Sequence, residues 1–288
     1  MLKLLRATNE LRDLMNPNLS LLQPYPFERL HQLKNAVQAP ADLAHIALSI
    51  GEPKHQAPAF VLDALQQALS HISAYPKTQG MLSLRQSIAQ WLEHRFDLQT
   101  QSLHPETQVL PLNGTREGLF SFIQAAVDGS VNNAKVLMPN PFYQIYEGAT
   151  LLAGAEPVFL NCTADNGYLP DFDAIDSQTW QDCQLLILCS PGNPTGAVIP
   201  EAELVKLIKL ADKYDFLICS DECYSEIYFD ESKPPTGLLE ACANMGRHDY
   251  SRCLVMHSLS KRSNLPGLRS GFVAGDADVI KAFLQYRT

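Results

Sequence analysis

The sequence predicts an α/β fold of three layers (αβα), with a mostly parallel, seven-stranded central sheet between two layers of helices. Three observations lead to this prediction. Short apolar runs alternate with longer amphipathic segments, which is the pattern of strand–helix units on a parallel sheet. The apolar runs show little polar alternation, as expected of strands buried on both faces. The length of 288 residues suits one large α/β domain or one and a half smaller ones.

Seven short runs rich in Val, Leu and Ile are each predicted to be a strand, because turn-forming residues lie around them. In chain order they are TQVLPL (107–112), KVLMP (135–139), PVFL (157–160), LLILCS (185–190), FLICSD (216–221), CLVMHS (253–258) and GFVAG (271–275).

The segments before and between these runs are predicted to be helices, because their apolar residues recur at helical spacing. In chain order they cover 58–71, 81–95, 115–127, 142–153, 201–214 and a last segment from 276 onward. The segment 201–214 is the clearest, since Pro200 precedes its first turn and Leu204, Leu207 and Ile208 share one face. The first fifty residues lack this alternation and are predicted to form an arm and a loop.

Composition indicates an ordinary soluble globular protein, with 46% apolar and 18% charged residues. The net charge of −9 and the lack of a basic cluster argue against a nucleic-acid partner. No run has the length of a membrane span, and Glu10 and Asp13 interrupt the leucines that could form a signal peptide. We therefore expect a cytoplasmic protein without a membrane partner, whose biological start is Met1 or Met15.

The seven cysteines include no CxxC pair, which favours free thiols in a reducing compartment over disulfides. Cys219 and Cys223 are four residues apart, but no partner pair of His or Cys accompanies them. We therefore predict no metal site.

Four polar clusters lie at the ends of predicted strands. They are NGTREG (113–118), SPGNPTG (190–196), SDECY (220–224) and SLSKRS (258–263). Each one alone is typical of a surface loop. Because ligands of open α/β sheets collect beyond the carboxyl ends of the strands, we expect the four clusters to meet at one edge of the sheet.

Together the clusters supply a turn for a phosphate, an amide, a carboxylate with a nearby phenol, and a lysine. These groups suit pyridoxal 5'-phosphate. Its aldehyde needs a lysine amine, and an acidic partner keeps its ring nitrogen protonated so that the ring acts as an electron sink. Its phosphate needs backbone N–H groups at a helix N-terminus.

The segment SLSKRSNLPGLRSG resembles the lysine signature of the class I/II aminotransferases, the fold-type I enzymes of pyridoxal phosphate. NGTREG, GNPTG and SDECY precede it in the family's order, while Ser270 stands where the family usually has an aliphatic residue. The resemblance covers about residues 40–288. It implies a pyridoxal-phosphate-dependent transaminase whose substrates are amino acids and 2-oxoacids.

The resemblance implies roles near the reacting atoms for four residues. Lys261 would bond to the cofactor aldehyde and later move a proton as general base and acid. Asp221 would pair with the ring nitrogen. Tyr224 and Asn193 would hydrogen-bond the phenolic oxygen, and Asn193 would also face the substrate. Taken alone, Asp221 or Asn193 would be assigned to a turn.

The resemblance also implies a phosphate site. Gly114, Thr115 and Arg116 would meet the phosphate through backbone amides at the start of the helix 115–127, and Ser258 and Arg269 would complete the site.

Three further residues have roles that only the resemblance implies. Tyr143 would stack on the cofactor ring, although Phe142 and Tyr146 beside it leave aromatic core packing as an alternative. Tyr75 resembles the tyrosine that reaches the phosphate of the other subunit, which implies a homodimer. Gly51 resembles a backbone contact on the substrate side.

Within the family, AYPKTQG, LNGTREGLF and LPGLRSGFVAGD look most like the N-succinyldiaminopimelate aminotransferases of bacterial lysine biosynthesis. The implied reaction moves an amino group between glutamate/2-oxoglutarate and N-succinyl-2-amino-6-oxopimelate.

The same resemblance implies an N-terminal arm with partial small-domain elements over 1–50. It implies a cofactor-binding large domain over 51–288, ending in the start of a linker helix. The small C-terminal domain of the family is largely missing, by roughly a hundred residues. We therefore expect a truncated chain with weak or absent transaminase activity.

Two other readings stay open. A carbon–sulfur lyase on the same fold would release pyruvate and ammonia from a cysteine-like substrate. A non-catalytic chain would bind the cofactor or only dimerise.

Overall fold

The computed structural model describes residues 15–52 and 54–288, which form two compact units with those same ranges. The first unit contains a 3₁₀ helix, Pro17–Leu21, and one α-helix, α1 (Pro26–Asn35). The prediction of an arm and a loop over the first fifty residues is therefore incomplete. Pro26 and Glu28 in the first turn and Lys34 in the last turn favour α1. Apolar periodicity does not reveal it, because none of its residues is buried.

All seven predicted strands are confirmed, and they form one sheet in the second unit. They are β1 (Val109–Leu112), β2 (Lys135–Asn140), β3 (Glu156–Asn161), β4 (Cys183–Cys189), β5 (Leu217–Asp221), β6 (Cys253–Ser258) and β7 (Gly271–Gly275). Their order across the sheet is β1-β7-β6-β5-β4-β2-β3. All neighbours from β3 to β6 are parallel, and β7 is antiparallel to both of its neighbours. The sheet is thus mostly parallel, as predicted.

Nine α-helices lie in the part of the second unit that the structure describes. They are α2 (Ala59–Ala68), α3 (Leu82–Arg95), α4 (Thr115–Ala126), α5 (Ile145–Leu152), α6 (Ser177–Asp182), α7 (Glu201–Tyr214), α8 (Leu238–Asn244), α9 (Leu259–Arg262) and α10 (Ala277–Arg287). The three that the sequence does not predict, α6, α8 and α9, are too short to show a helical period. No helix in the described ranges is long and apolar enough to span a bilayer.

The sheet separates two apolar cores, which confirms the three-layer architecture. Successive strand residues point to opposite faces. Ile218 packs in the core under α3, α7 and α8, whereas its neighbour Cys219 packs in the core under α4, α5 and α10. Val255 and Leu254 divide in the same way between the two cores.

The direction of β7 brings its amino end to the edge where its neighbours end. Gly271, the first residue of β7, pairs with Ser258 at the end of β6 and with Leu112 at the end of β1. The turn before β7 therefore lies at the carboxyl-end edge of the sheet. Arg269 belongs to that turn.

The seven cysteines are free thiols, as predicted. Cys183, Cys219, Cys242 and Cys253 are buried. Burial raises the pKa of the Cys183 thiol to about 12, which makes it unreactive at neutral pH. Among residues 15–52 and 54–288, no three His, Cys, Asp or Glu side chains are placed to hold a metal ion.

Candidate active site

The polar clusters predicted from the sequence lie at one edge of the sheet. Asp221 pairs in register with Cys189 on one side and with Met256 on the other. Ser258, two residues beyond Met256, pairs with Gly271. The ends of β1, β4, β5 and β6 are therefore neighbours, and the loops that follow them converge.

Asp221 ends β5 with a buried side chain that two neutral donors hold. The Tyr146 hydroxyl donates to its Oδ2 at 2.6 Å, and the Cys223 backbone N–H donates to its Oδ1 at 3.3 Å. Burial, followed by the charge of Asp221, raises the pKa of Tyr146 well above its usual value, so this phenol stays a donor. Both donors are neutral groups that hydrogen-bond the carboxylate but do not form an ion pair with it. The carboxylate can therefore pair with a cationic atom of a ligand.

Tyr146 is a residue of this candidate site that the sequence does not single out. It appears there only as a competing aromatic beside Tyr143. In the structure, Phe142 stacks on Phe159 at 5.0 Å between ring centroids. The Tyr143 ring meets the buried Tyr146 ring edge-on at 5.9 Å. The sequence offers no signal for this contact, because the burial of the ring and the partner of its hydroxyl appear only in the structure.

The turn after β5 contacts the start of α4. Thr115 Oγ1 lies 3.2 Å from Cys223 Sγ, which joins two of the predicted clusters directly. The next residue, Tyr224, is half-buried, and burial together with nearby Asp221 raises its pKa to about 12. Its hydroxyl is therefore protonated at neutral pH and can donate a hydrogen bond.

Asn193 is exposed in the turn after β4. It lines a shallow open cleft together with Tyr168, Cys162 and Cys189. Its backbone N–H interacts with the Cys189 thiol, whose pKa burial raises to about 12. The turn is thus held against the end of β4.

The N-terminus of α4 forms a narrow cradle at Gly114. This residue has φ +92° and caps α4 without a side-chain hydrogen bond. A Cβ at this position would lie 2.9 Å from Arg269 Cζ and 3.2 Å from Glu117 Oε2. The positive φ favours glycine at this position, and an added Cβ would also displace the guanidinium of Arg269.

Arg269 is aimed at this cradle by two partners. Its Nη1 donates to the Pro266 carbonyl at 3.1 Å, and its Nη2 forms an ion pair with Glu117 Oε2 at 3.0 Å. The Arg269 side chain is 48% exposed, so a ligand can reach it. Guanidinium and helix N-terminus together attract an anion such as a phosphate.

The other predicted site residues lie as follows. Ser258 is buried at the end of β6, where its Oγ donates to Ser260 Oγ at 2.8 Å. Lys261 is half-buried in α9, a helical turn that corrects the sequence-based expectation of a loop after β6. Arg116 is exposed in the first turn of α4, and Tyr75 is fully exposed. Gly51 belongs to the first unit, 15–52, and its predicted substrate contact stays a prediction.

The sequence matches the family described as aminotransferase class I and II over residues 44–288. The chain belongs to this family. The predicted resemblance to the class I/II aminotransferases is thereby confirmed, and with it the cofactor that the family uses, pyridoxal phosphate.

Solved structures and curated relatives agree with this assignment. An aminotransferase from Neisseria meningitidis is 47% identical, with a TM-score of 0.89 over 95% of this chain and 68% of that chain. A probable N-succinyldiaminopimelate aminotransferase from Thermus thermophilus is 27% identical, with a TM-score of 0.74 over 84% of this chain and 62% of that one.

An LL-diaminopimelate aminotransferase of Nitratidesulfovibrio vulgaris is 36% identical over 265 residues, which are 91% of this chain. The chain spans about 65% of the length of this curated relative.

The residues present fit pyridoxal phosphate on structural grounds. A buried carboxylate that its donors do not neutralise stands at Asp221. The cradle at Gly114, whose positive φ favours glycine, adjoins Arg269 at the start of α4. Tyr224 supplies a protonated hydroxyl near Asp221, and Lys261 follows β6 on the same edge of the sheet. The chain thus offers one group for each reactive part of the cofactor: its ring nitrogen, its phosphate, its phenolic oxygen and its aldehyde.

We expect Gly114→Ala to weaken cofactor binding by about tenfold or more, because the new Cβ is strained and displaces Arg269. A spectroscopic titration with pyridoxal phosphate measures this dissociation constant. Gly246→Ala is the control, since Gly246 also has a positive φ but has open space around it. Equal affinities of the two variants would show that the cradle does not bind the phosphate.

Proposed function

We propose that this chain is the cofactor-binding part of a pyridoxal-phosphate-dependent aminotransferase. The observation that carries this proposal is the buried Asp221, held by Tyr146 at the edge of the sheet where Lys261 and Arg269 also lie. When bound, pyridoxal phosphate supplies an electron sink for the charge that develops at the substrate Cα.

The residues of the chain would divide the remaining work. Asp221 would hold the ring nitrogen in its protonated form, and Tyr224 with Asn193 would donate to the phenolic oxygen. Lys261 Nζ would take the proton from the substrate Cα and deliver it to the C4′ carbon of the cofactor. Tyr143 would cover the ring.

A second group of residues would hold the phosphate. The N-terminal amides of α4, from Thr115 and Arg116, would bind it together with Ser258 and Arg269. Tyr75 would reach the phosphate of a second copy, and this role belongs to a proposed homodimer. Its full exposure leaves the side chain accessible to such a copy.

For the substrates we propose glutamate/2-oxoglutarate and N-succinyl-2-amino-6-oxopimelate. The Thermus thermophilus neighbour, named for the succinylated compound, supports this choice. A second candidate is free LL-diaminopimelate, which the names of curated relatives at 32–36% identity favour. The two differ chemically, because succinylation replaces one ammonium group by an amide and adds a carboxylate.

Single half-reactions distinguish these candidates. The chain, loaded with pyridoxal phosphate, is mixed separately with glutamate, N-succinyl-LL-diaminopimelate and LL-diaminopimelate, and loss of the visible cofactor band is timed. We expect glutamate and the succinylated compound to react at least about tenfold faster than LL-diaminopimelate. The reverse order would assign the second candidate, and pyruvate released from a cysteine-like substrate without any oxoacid would assign a lyase.

A further inference from the structure

The neighbours of two proposed cofactor residues form a linked cluster on the opposite face of the sheet. Glu222 follows Asp221, and His257 precedes Ser258. His257 belongs to β6, where side chains alternate, so it lies on the face of the sheet opposite to Ser258. Glu222 lies just beyond the end of β5 and contacts His257 on that face. Their side chains are only 3% and 1% exposed, which is rare for ionisable groups without a structural or functional purpose.

Glu222 and His257 connect the turn after β5 with the end of β6. Glu222 Oε2 lies 3.1 Å from His257 Nε2, although the two atoms lack the alignment of a hydrogen bond. Glu222 Oε1 accepts a hydrogen bond from the Leu238 backbone N–H at 2.8 Å. A substitution of Glu222 or His257 is therefore expected to shift the backbone of Asp221 or Ser258, which are their neighbours in the chain.

The His257 ring is enclosed by aromatic side chains. It stacks on Phe272 of β7 at 5.1 Å between centroids and meets Trp91 of α3 edge-on at 5.2 Å. Phe96 lies 5.7 Å away at a tilt. Trp91, which belongs to α3, thus connects this cluster on the sheet with the helical layer that covers it.

Arg262, the residue after Lys261, stacks on the ring of Trp91. Its guanidinium carbon lies 3.8 Å from the centroid of the Trp91 ring. Burial lowers the pKa of the Arg262 guanidinium. A cation held this closely over an indole is a favourable and directional contact.

The helix α9 needs such an anchor. It has only four residues, too few to be stable without packing. Adjacent residues of a helix point roughly 100° apart, so the direction of Arg262 determines the direction of Lys261. The contact with Trp91 therefore sets the rotation of α9 about its axis.

We propose that Arg262, stacked on Trp91, is a positioning residue that holds Lys261 in reach of the cofactor aldehyde. This inference rests on the proposed function, because it assigns Lys261 the covalent bond to the cofactor. It predicts an effect on that bond alone, since Arg262 lies outside the proposed phosphate site.

Two ligands separate these effects. Pyridoxal phosphate has the aldehyde, whereas pyridoxamine phosphate lacks it and cannot bond to lysine. The wild-type chain and Arg262→Met are each titrated with both ligands, the growth of the visible band is timed with pyridoxal phosphate, and thermal unfolding is measured without ligand. Lys213→Met is the matched control, because Lys213 lies over the Tyr214 ring at 4.5 Å on α7.

We expect Arg262→Met to slow covalent attachment about tenfold or more, while Arg262→Lys recovers most of the rate because a cation returns. Affinity for pyridoxamine phosphate should stay within about twofold of wild type in both variants. An unchanged attachment rate, or an equal loss for both ligands, would overturn the proposal.

Two other results have a different meaning. If the wild-type chain itself forms no visible band, the proposed function fails and not merely the role of Arg262. If Arg262→Met does not fold, Trp91→Phe tests the same contact with a smaller ring. Slower attachment with unchanged pyridoxamine phosphate affinity would then support the proposal, and wild-type attachment would refute it.

Discussion

Replacing Lys261 by alanine is expected to abolish the visible band that the cofactor shows when it is bonded to the protein. Whatever half-reaction with glutamate the wild-type chain shows should slow by about 10⁴-fold or more or be lost, because both the covalent link and the proton-transferring amine are removed. Pyridoxamine phosphate should still bind, since Asp221 and the cradle at Gly114 are untouched. Absorption spectroscopy and stopped-flow mixing measure these effects.

Lys281→Ala provides the control for this experiment, because Lys281 is an exposed lysine of α10. We expect it to keep the band and the wild-type rate. A visible band that survives Lys261→Ala and disappears upon sodium borohydride treatment would mean that a different lysine bonds to the cofactor.

The second large effect is expected at Asp221. Asp221→Ala removes the carboxylate that would keep the ring nitrogen protonated, so the electron sink weakens and the half-reaction with glutamate should slow by about 10³-fold. Asp221→Asn keeps the shape and a hydrogen-bond acceptor for Tyr146, and it should lose nearly as much rate. The rate of the glutamate half-reaction is the measurement.

Tyr146→Phe distinguishes the contribution of the Asp221 charge from the contribution of the hydrogen bond that orients Asp221. It removes the 2.6 Å hydrogen bond but leaves the carboxylate, so we expect a loss of only about tenfold. If Asp221→Asn reacted as fast as wild type, the charge of Asp221 would have no part in the reaction.

The sequence predicts the sheet because its strands are short apolar runs between turn-forming residues. The same reasoning predicts that Asn193, Asp221 and Lys261 share one edge, since each follows a buried strand. The place of Arg269 is different. It depends on the antiparallel direction of β7, which brings the turn before that strand beside Ser258. Periodicity alone does not reveal this direction.

The contacts that sequence reasoning misses join residues far apart in the chain. Tyr146 and Asp221 are 75 positions apart, and nothing in either segment specifies that they meet. Glu222 looks like one more polar residue of the SDECY cluster and His257 like the polar end of an apolar run, and the parallel pairing of β5 and β6 brings them together. The short helix α9 has too few residues for its apolar spacing to be recognised.

The central claim is that Lys261 bonds covalently to pyridoxal phosphate at this edge of the sheet. Its most direct test loads the wild-type chain with pyridoxal phosphate, reduces it with borohydride, digests it and locates the added mass by tandem mass spectrometry. We predict a single modified lysine, Lys261, in the peptide that follows Arg252. Modification of any other lysine as the main product, or no stable modification, would contradict the account.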